Sequence, residues 1–318
     1  MKIGIPQAGI YYEYYPFWKK FFEGLGFEIV LSPKTDKSIS ELGLKTANSE
    51  SCLPIKIFYG HINCLRRHGI NTFLLPHMDM VRNIYEKIGP KSYFCPYFVA
   101  MADVMKAEYP EIEVINPKMI FDGNIINSDS WIELALKYGK NKEEAQNIFN
   151  EALKEHLAFL QKMQSEKLMP IEIFENVKIN SNNSEKIAII GHSYIVYDHY
   201  SNIDLIDRVI SKGYSVWTKE MMTDDEREIA VESVDWQCHN HWVMTNEERM
   251  AILKASRDDS IKGIIYVIPF NCGPDFLMEY YSLKDARKSK PITSISIDES
   301  SGEAGLATRI EAFIDVLK

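Results

Sequence analysis

The chain has 318 residues, 46% of them hydrophobic and 25% charged, with a formal charge of −9 and a pI near 5.5. That length allows about two domains of roughly 150 residues, and the composition is that of an ordinary folded protein. The negative balance argues against nucleic acid or an anionic membrane surface as the main partner. No apolar run reaches the roughly 18 residues of a membrane span. Met1-Lys-Ile-Gly-Ile-Pro enters a strand directly, so a cytoplasmic location is expected. Five cysteines, an odd number with no signal peptide, favour metal or redox chemistry over a disulfide framework.

In chain order, a strand is expected at Lys2 to Ile5, then a Tyr-rich loop, then a helix from Pro16 whose stripe of Phe17, Phe21 and Leu25 ends at Gly26. A strand at Phe27 to Leu31 follows. Helices are expected near Ser38 to Ala47 and Pro54 to His68, with Cys52 in the loop between. A strand at Asn71 to Leu75 delivers Pro76 and His77 into a loop, and Cys95 opens a helix at Pro96 to Tyr109 before a strand at Glu113 to Asn116. Asn141 to Lys167 reads as one long helix between domains, its face carrying Phe149, Leu153, His156, Leu157, Leu160 and Met163. After the polar run Asn180-Ser-Asn-Asn-Ser-Glu, strands are expected at 186–190, 215–218, 263–268 and 292–297, with helices near 204–212, 246–256, 275–283 and 302–317. The fold class is therefore α/β, as two doubly wound, flavodoxin- or Rossmann-like domains with mostly parallel sheets and a linking long helix. Residues 1–170 would carry Cys52 and Cys95, residues 184–318 would carry Cys272, and the boundary falls between about 165 and 185.

The three cysteines share a setting: Glu50-Ser-Cys-Leu-Pro, Phe94-Cys-Pro and Phe270-Asn-Cys-Gly-Pro-Asp. A proline within two residues suits the first turn of a helix, so each thiol is expected at a helix N-terminus, where the dipole and free N–H groups favour a thiolate. Ligands of open α/β sheets bind beyond the carboxyl ends of the strands. His77, Gly191-His192 and Cys272 all follow expected strands, so thiols from two domains would meet in a cleft. The intervals between them match neither ferredoxin nor zinc-ribbon spacing. The bland reading is three small buried hydrophobes. Cys64 lies on an apolar helix face and reads as core, while Cys238, His239 and His241 in Trp236-Gln-Cys-His-Asn-His-Trp offer a less favoured start for a zinc site. His192 and Glu50 are the candidate catalytic side chains. Their bland alternatives are a turn histidine bonded to its own backbone and, for Glu50 and nearby Lys56, a solvated surface. Neither a P-loop nor a complete Gly-x-Gly-x-x-Gly is present, so ATP hydrolysis is not expected in this chain.

Taken together, the motifs resemble the family of 2-hydroxyacyl-CoA dehydratase subunits and activase-related proteins of anaerobes, which includes double-cubane relatives. The resemblance rests on Met1-Lys-Ile-Gly-Ile-Pro, Ser51-Cys-Leu-Pro-Ile-Lys with Gly60-His61, Phe94-Cys-Pro, Gly191-His192-Ser-Tyr, Phe270-Asn-Cys-Gly-Pro-Asp and Asp298-Glu-Ser-Ser-Gly-Glu-Ala-Gly-Leu. It implies a [4Fe-4S] cluster ligated by Cys52, Cys95 and Cys272, with electrons from a separate ATP-dependent activator and a small-molecule or acyl-CoA substrate. A homodimer is also implied. Three thiolates would leave one iron open as a Lewis acid or one-electron donor. A double-cubane cluster held only by cysteines of one chain is excluded, because six are needed and five exist. Gln7 and His77 stand where the family pattern has arginine, which argues against carrying over the dehydratase reaction itself. The expected function is low-potential reductive chemistry of a dehydratase- or reductase-like kind. The alternatives are a non-catalytic electron-transfer or accessory iron–sulfur protein, and a cluster-free binding protein.

Overall fold

A computed structural model describes the chain apart from residues 84, 123–124, 181–182, 235, 237–240, 288 and 318. In chain order the first half forms β1 (Lys2–Ile5), α1 (Tyr11–Leu25), β2 (Glu28–Leu31), α2 (Lys37–Thr46), α3 (Leu53–Arg67), β3 (Thr72–Leu74), β4 (His77–Arg82), β5 (Lys91–Tyr93), α4 (Pro96–Glu108), β6 (Glu113–Ile115), β7 (Lys118–Asp122), β8 (Ile125–Ile126), α5 (Asp129–Lys137), α6 (Lys142–Glu166) and α7 (Pro170–Glu175). The second half forms β9 (Lys186–Gly191), α8 (Ser193–Val196), α9 (Leu205–Ser211), β10 (Ser215–Trp217), α10 (Asp224–Glu232), α11 (Val243–Arg257), β11 (Ile261–Pro269), α12 (Gly273–Ala286), β12 (Ile292–Ile297) and α13 (Glu303–Val316).

Two sheets, β2-β1-β3-β6 and β10-β9-β11-β12, are parallel throughout. In each, the strand order reverses beside the first strand, the doubly wound arrangement that opens a crevice at the carboxyl ends. The strands β9 and β11 are buried along nearly their whole length, as parallel strands covered on both faces must be. The long helix α6 starts on a capping box, in which Asn141 accepts from the Glu144 amide and Glu144 accepts from the Asn141 amide. It lies against α1 and also meets the Lys219–Met221 turn of the second half. One continuous apolar core runs through both halves. Among the described residues no helix is long and apolar enough to cross a membrane.

Three expectations change. The first helix starts at Tyr11 and continues through Pro16, because Tyr11, Tyr12, Phe17, Trp18 and Phe21 are all buried and their burial outweighs the hydrogen bond that proline cannot make. His77 is not in a loop: it opens β4 and pairs in register with Lys118. That strand belongs to a third sheet, β5-β4-β7-β8, parallel between β4 and β7 and antiparallel at its edges, which the sequence reading did not anticipate. Lys56 is buried rather than solvated and forms a 2.5 Å ion pair with Glu299 beyond β12, joining the two halves beside the first cysteine.

Glycine sets the position of that cysteine's helix. A Cβ on Gly43 would lie 1.8 Å from the Lys56 carbonyl oxygen, and one on Gly60 would lie 2.1 Å from the Ile39 carbonyl oxygen. Helices α2 and α3 therefore cross with their backbones in contact, which no larger residue permits. His61, on the same helix, is fully buried; its Nδ1 lies 2.7 Å from Ser32 Oγ and its Nε2 3.0 Å from Thr35 Oγ1. Thr35 in turn donates to Asp198 of the second half.

Candidate functional site

Cys52, Cys95 and Cys272 are the N-cap residues of α3, α4 and α12, each with proline in the first helical turn. The expectation drawn from the cysteine-then-proline spacing thus becomes three half-buried thiols at three helix starts. Two come from the first half and one from the second. Ser51 Oγ lies 3.4 Å from Tyr97 Oη, tying the starts of α3 and α4 together. Cys272 follows the carboxyl end of β11, and His192 follows that of β9, so both stand at the point where the strand order of the second sheet reverses.

His192 is buried between two carboxylates. Its Nδ1 lies 2.8 Å from Glu248 Oε1 and its Nε2 3.0 Å from Asp275 Oδ1. Glu248 Oε2 accepts a 3.0 Å hydrogen bond from the Tyr266 hydroxyl. Burial opposes a charged ring, but Asp275 and Glu248 outweigh it and hold the pKa of His192 well above the ordinary imidazole value. His192, Cys272 and Asp275 present one donor atom each within 4.8 Å of one another. The ring of Tyr194 stands 4.9 Å from that of His192 and 5.6 Å from that of Phe98.

The thiols differ from the simplest expectation for helix N-termini. Burial pushes Cys52 up to about 12 and Cys272 up to about 11, and it raises Cys95 as well. Against this, the Ile55 amide favours the Cys52 thiolate, the Tyr97 amide that of Cys95, and His192 that of Cys272, none of them closing a full cap hydrogen bond. Desolvation outweighs the helix dipole, so the free sulfurs are neutral thiols. Cys52 lies within electrostatic reach of Cys272, Cys95 and His192, and Cys95 within reach of His192 and Asp275.

His192, Cys272 and Asp275 together offer a donor set for a metal ion. Both oxygens of Asp275, Oε1 of Glu248 and Nδ1 of His192 are buried without a well-aligned hydrogen bond, although the distances between them are short. Buried polar atoms left in this state are costly, and coordination by Asp275, with Glu248 accepting from the imidazole, would satisfy them.

The other candidates fall elsewhere. Glu50 is exposed, and its side chain accepts from Ser49. Cys64 is buried with Ile39 and Leu42. The zinc candidate involves Cys238 and His239, which lie outside the described residues, while His241 is exposed. Glu248 and Tyr266 were not singled out from the sequence. Asp275 stood in a quoted motif without a role, though an acid three residues after an N-cap cysteine returns to the same helix end. Glu248 lies on α11 among buried Met244, Ala251 and Ile252, and a glutamate on an apolar face was the available signal.

Fold and geometry define a doubly wound α/β protein with thiols gathered at helix N-termini around a carboxylate-held histidine. The family model described as "CoA enzyme activase uncharacterised domain (DUF2229)" matches residues 2–222, and the chain belongs to this family. The match includes Cys52, Cys95 and His192 and ends before Glu248, Cys272 and Asp275. No curated protein matches the chain.

Proposed function

We propose that this chain is an iron–sulfur protein in which Cys52, Cys95 and Cys272 ligate a [4Fe-4S] cluster between the two halves. Its function would be low-potential reductive chemistry on a small molecule, with electrons from a separate ATP-dependent activator. The observation that supports it most directly is the position of all three cysteines at helix N-termini, two from the first half and one from the second, around His192 and Asp275. The activase-related family is in keeping with an activator partner.

When bound, such a cluster supplies one-electron reduction and, through an iron with no cysteine, Lewis acidity. The chain's own residues do the rest. Ile55 and Tyr97 amides direct positive dipoles at two of the sulfurs. His192, whose two ring nitrogens face Glu248 and Asp275, keeps a positive charge next to Cys272. Tyr194 and Phe98 cover the region with aromatic surface and keep water out.

A second reading is favoured by the short distances from His192 to Glu248 and Asp275. A carboxylate behind a histidine is the usual support for a single metal ion, so His192, Cys272 and Asp275 would bind one divalent cation. Anaerobic reconstitution separates the readings. Iron and acid-labile sulfide at about four each per chain support the cluster, one metal without sulfide supports the single ion, and colourless protein with neither defeats both. A change in the reduced cluster's EPR signal on adding acyl-CoA thioesters or small reducible molecules would favour an enzyme over an electron-transfer protein.

A further inference from the structure

A separate chamber of about 160 Å³ lies between α1, α6 and the second half. Its lining includes apolar Phe94, Phe121, Leu160 and Met163, and it also carries charge from Glu13, Lys219, Glu220, Arg227 and Glu247. These charges are built into the fold. Lys219 is buried, 2.6 Å from Glu220 and 3.7 Å from Glu13, and Arg227 Nε donates to Glu247 at 3.0 Å. His156 also lines the chamber. It is 2% exposed, stacked on Tyr14, and its Nδ1 has no hydrogen-bond partner.

We propose that this chamber binds a small organic ammonium compound. Size sets the first limit: a protein cavity of roughly 150 Å³ holds benzene, so the ligand has about six to eight non-hydrogen atoms. Charge sets the second. The lining has three carboxylates against two cations, which leaves one negative charge in excess and repels a carboxylate ligand. Both cations are already paired, whereas each carboxylate can accept further hydrogen bonds. An ammonium group would donate to Glu247, the rings of Tyr14, Phe94 and Phe121 in the lining would favour the cation, and the apolar body would pack against Leu160 and Met163. A neutral His156 adds an acceptor to the lining.

The chamber adjoins the thiol centre without depending on it. Phe94 precedes Cys95, and Glu13 accepts a 2.8 Å hydrogen bond from Ser193, the residue after His192. Binding can therefore be measured on the full chain with or without metal. In calorimetric titrations with benzylamine, benzyl alcohol and benzoate at neutral pH, benzylamine should bind at least about tenfold more tightly than either isostere. Leu160→Trp, which fills the chamber from a half-buried position, should abolish its binding. Glu247→Gln carries the same test without added bulk: benzylamine should weaken at least about fivefold while benzoate gains. Benzoate binding as tightly as benzylamine, no heat with any of the three probes, or benzylamine affinity unchanged in either folded variant would overturn the proposal.

Discussion

Two histidines are buried to the same degree, His192 at 3% exposure and His156 at 2%, and they end in opposite protonation states. Around His156 lie rings: Tyr14 stacks at 5.5 Å, with Phe17 and Phe159 near 6.4 and 6.5 Å. Burial there lowers the pKa to about 4, and the imidazole is neutral. Around His192 lie Glu248 and Asp275, and the same desolvation is overcome. Burial by itself therefore does not determine what a histidine does; what shares the cavity with it does. One region is an aromatic seam that joins α1 to α6. The other is a charged centre in which His192 is held between two buried carboxylates, which makes it the candidate functional site.

Removing one carboxylate should break the contrast most severely. Glu248→Leu leaves His192 Nδ1 and the Tyr266 hydroxyl without their partner, while Asp275 still faces Nε2, and urea unfolding should show a loss of about 3–5 kcal/mol. A loss below about 1 kcal/mol would mean that Glu248 does not hold the charged ring.

Acid should act on the other histidine. The folded pKa of His156 lies below its ordinary 6.5, so the unfolded chain takes up the proton first as pH falls. Stability is then lost between about pH 6.5 and 4, by roughly 3 kcal/mol in total, and levels off below that range. His61, lowered to about 3 by burial, adds to the same slope. Denaturant melts of His156→Leu against the unsubstituted chain isolate the share of His156: the variant should lose less stability over this interval, and identical slopes would contradict its neutral burial.

The charged centre also depends on where α3 lies. Gly43→Ala puts a methyl group against the Lys56 carbonyl, so the helices must separate, at about 1–3 kcal/mol by urea unfolding. The smallest effect is expected of Glu299→Gln. Glu299 is partly exposed, and weakening its pairing with Lys56 should cost about 1 kcal/mol or less, seen as a small shift in the midpoint. An unaffected midpoint with Gly43→Ala would show that the backbones are not in contact as described.

Much of this was legible in the sequence where the pattern is local. The strands of the two parallel sheets follow from short apolar runs between turn signals, and the proline after each cysteine located two helix starts to within a residue and the third, at Gly273, to within two. The third sheet was not legible, because β5 and β8 are only three and two residues long and β4 begins immediately after Pro76. The start of α1 was misread for a tertiary reason: burial of tyrosines settled what Pro16 seemed to forbid. The partners of His192 were hidden for a similar reason. Glu248 reaches it from the middle of α11, and no spacing rule connects a helix interior to the end of a distant strand.

The most direct test of the thiol centre compares two cysteines that share a helix, Cys52 at its N-cap and Cys64 in its apolar interior, with Cys272 opposite. Iron and acid-labile sulfide should be measured after anaerobic reconstitution of the unsubstituted chain and of Cys52→Ala, Cys272→Ala and Cys64→Ala. Loss of most bound iron in Cys52→Ala and Cys272→Ala, with Cys64→Ala unchanged, is the predicted result. Undiminished iron and sulfide in Cys272→Ala would contradict the proposed ligand set.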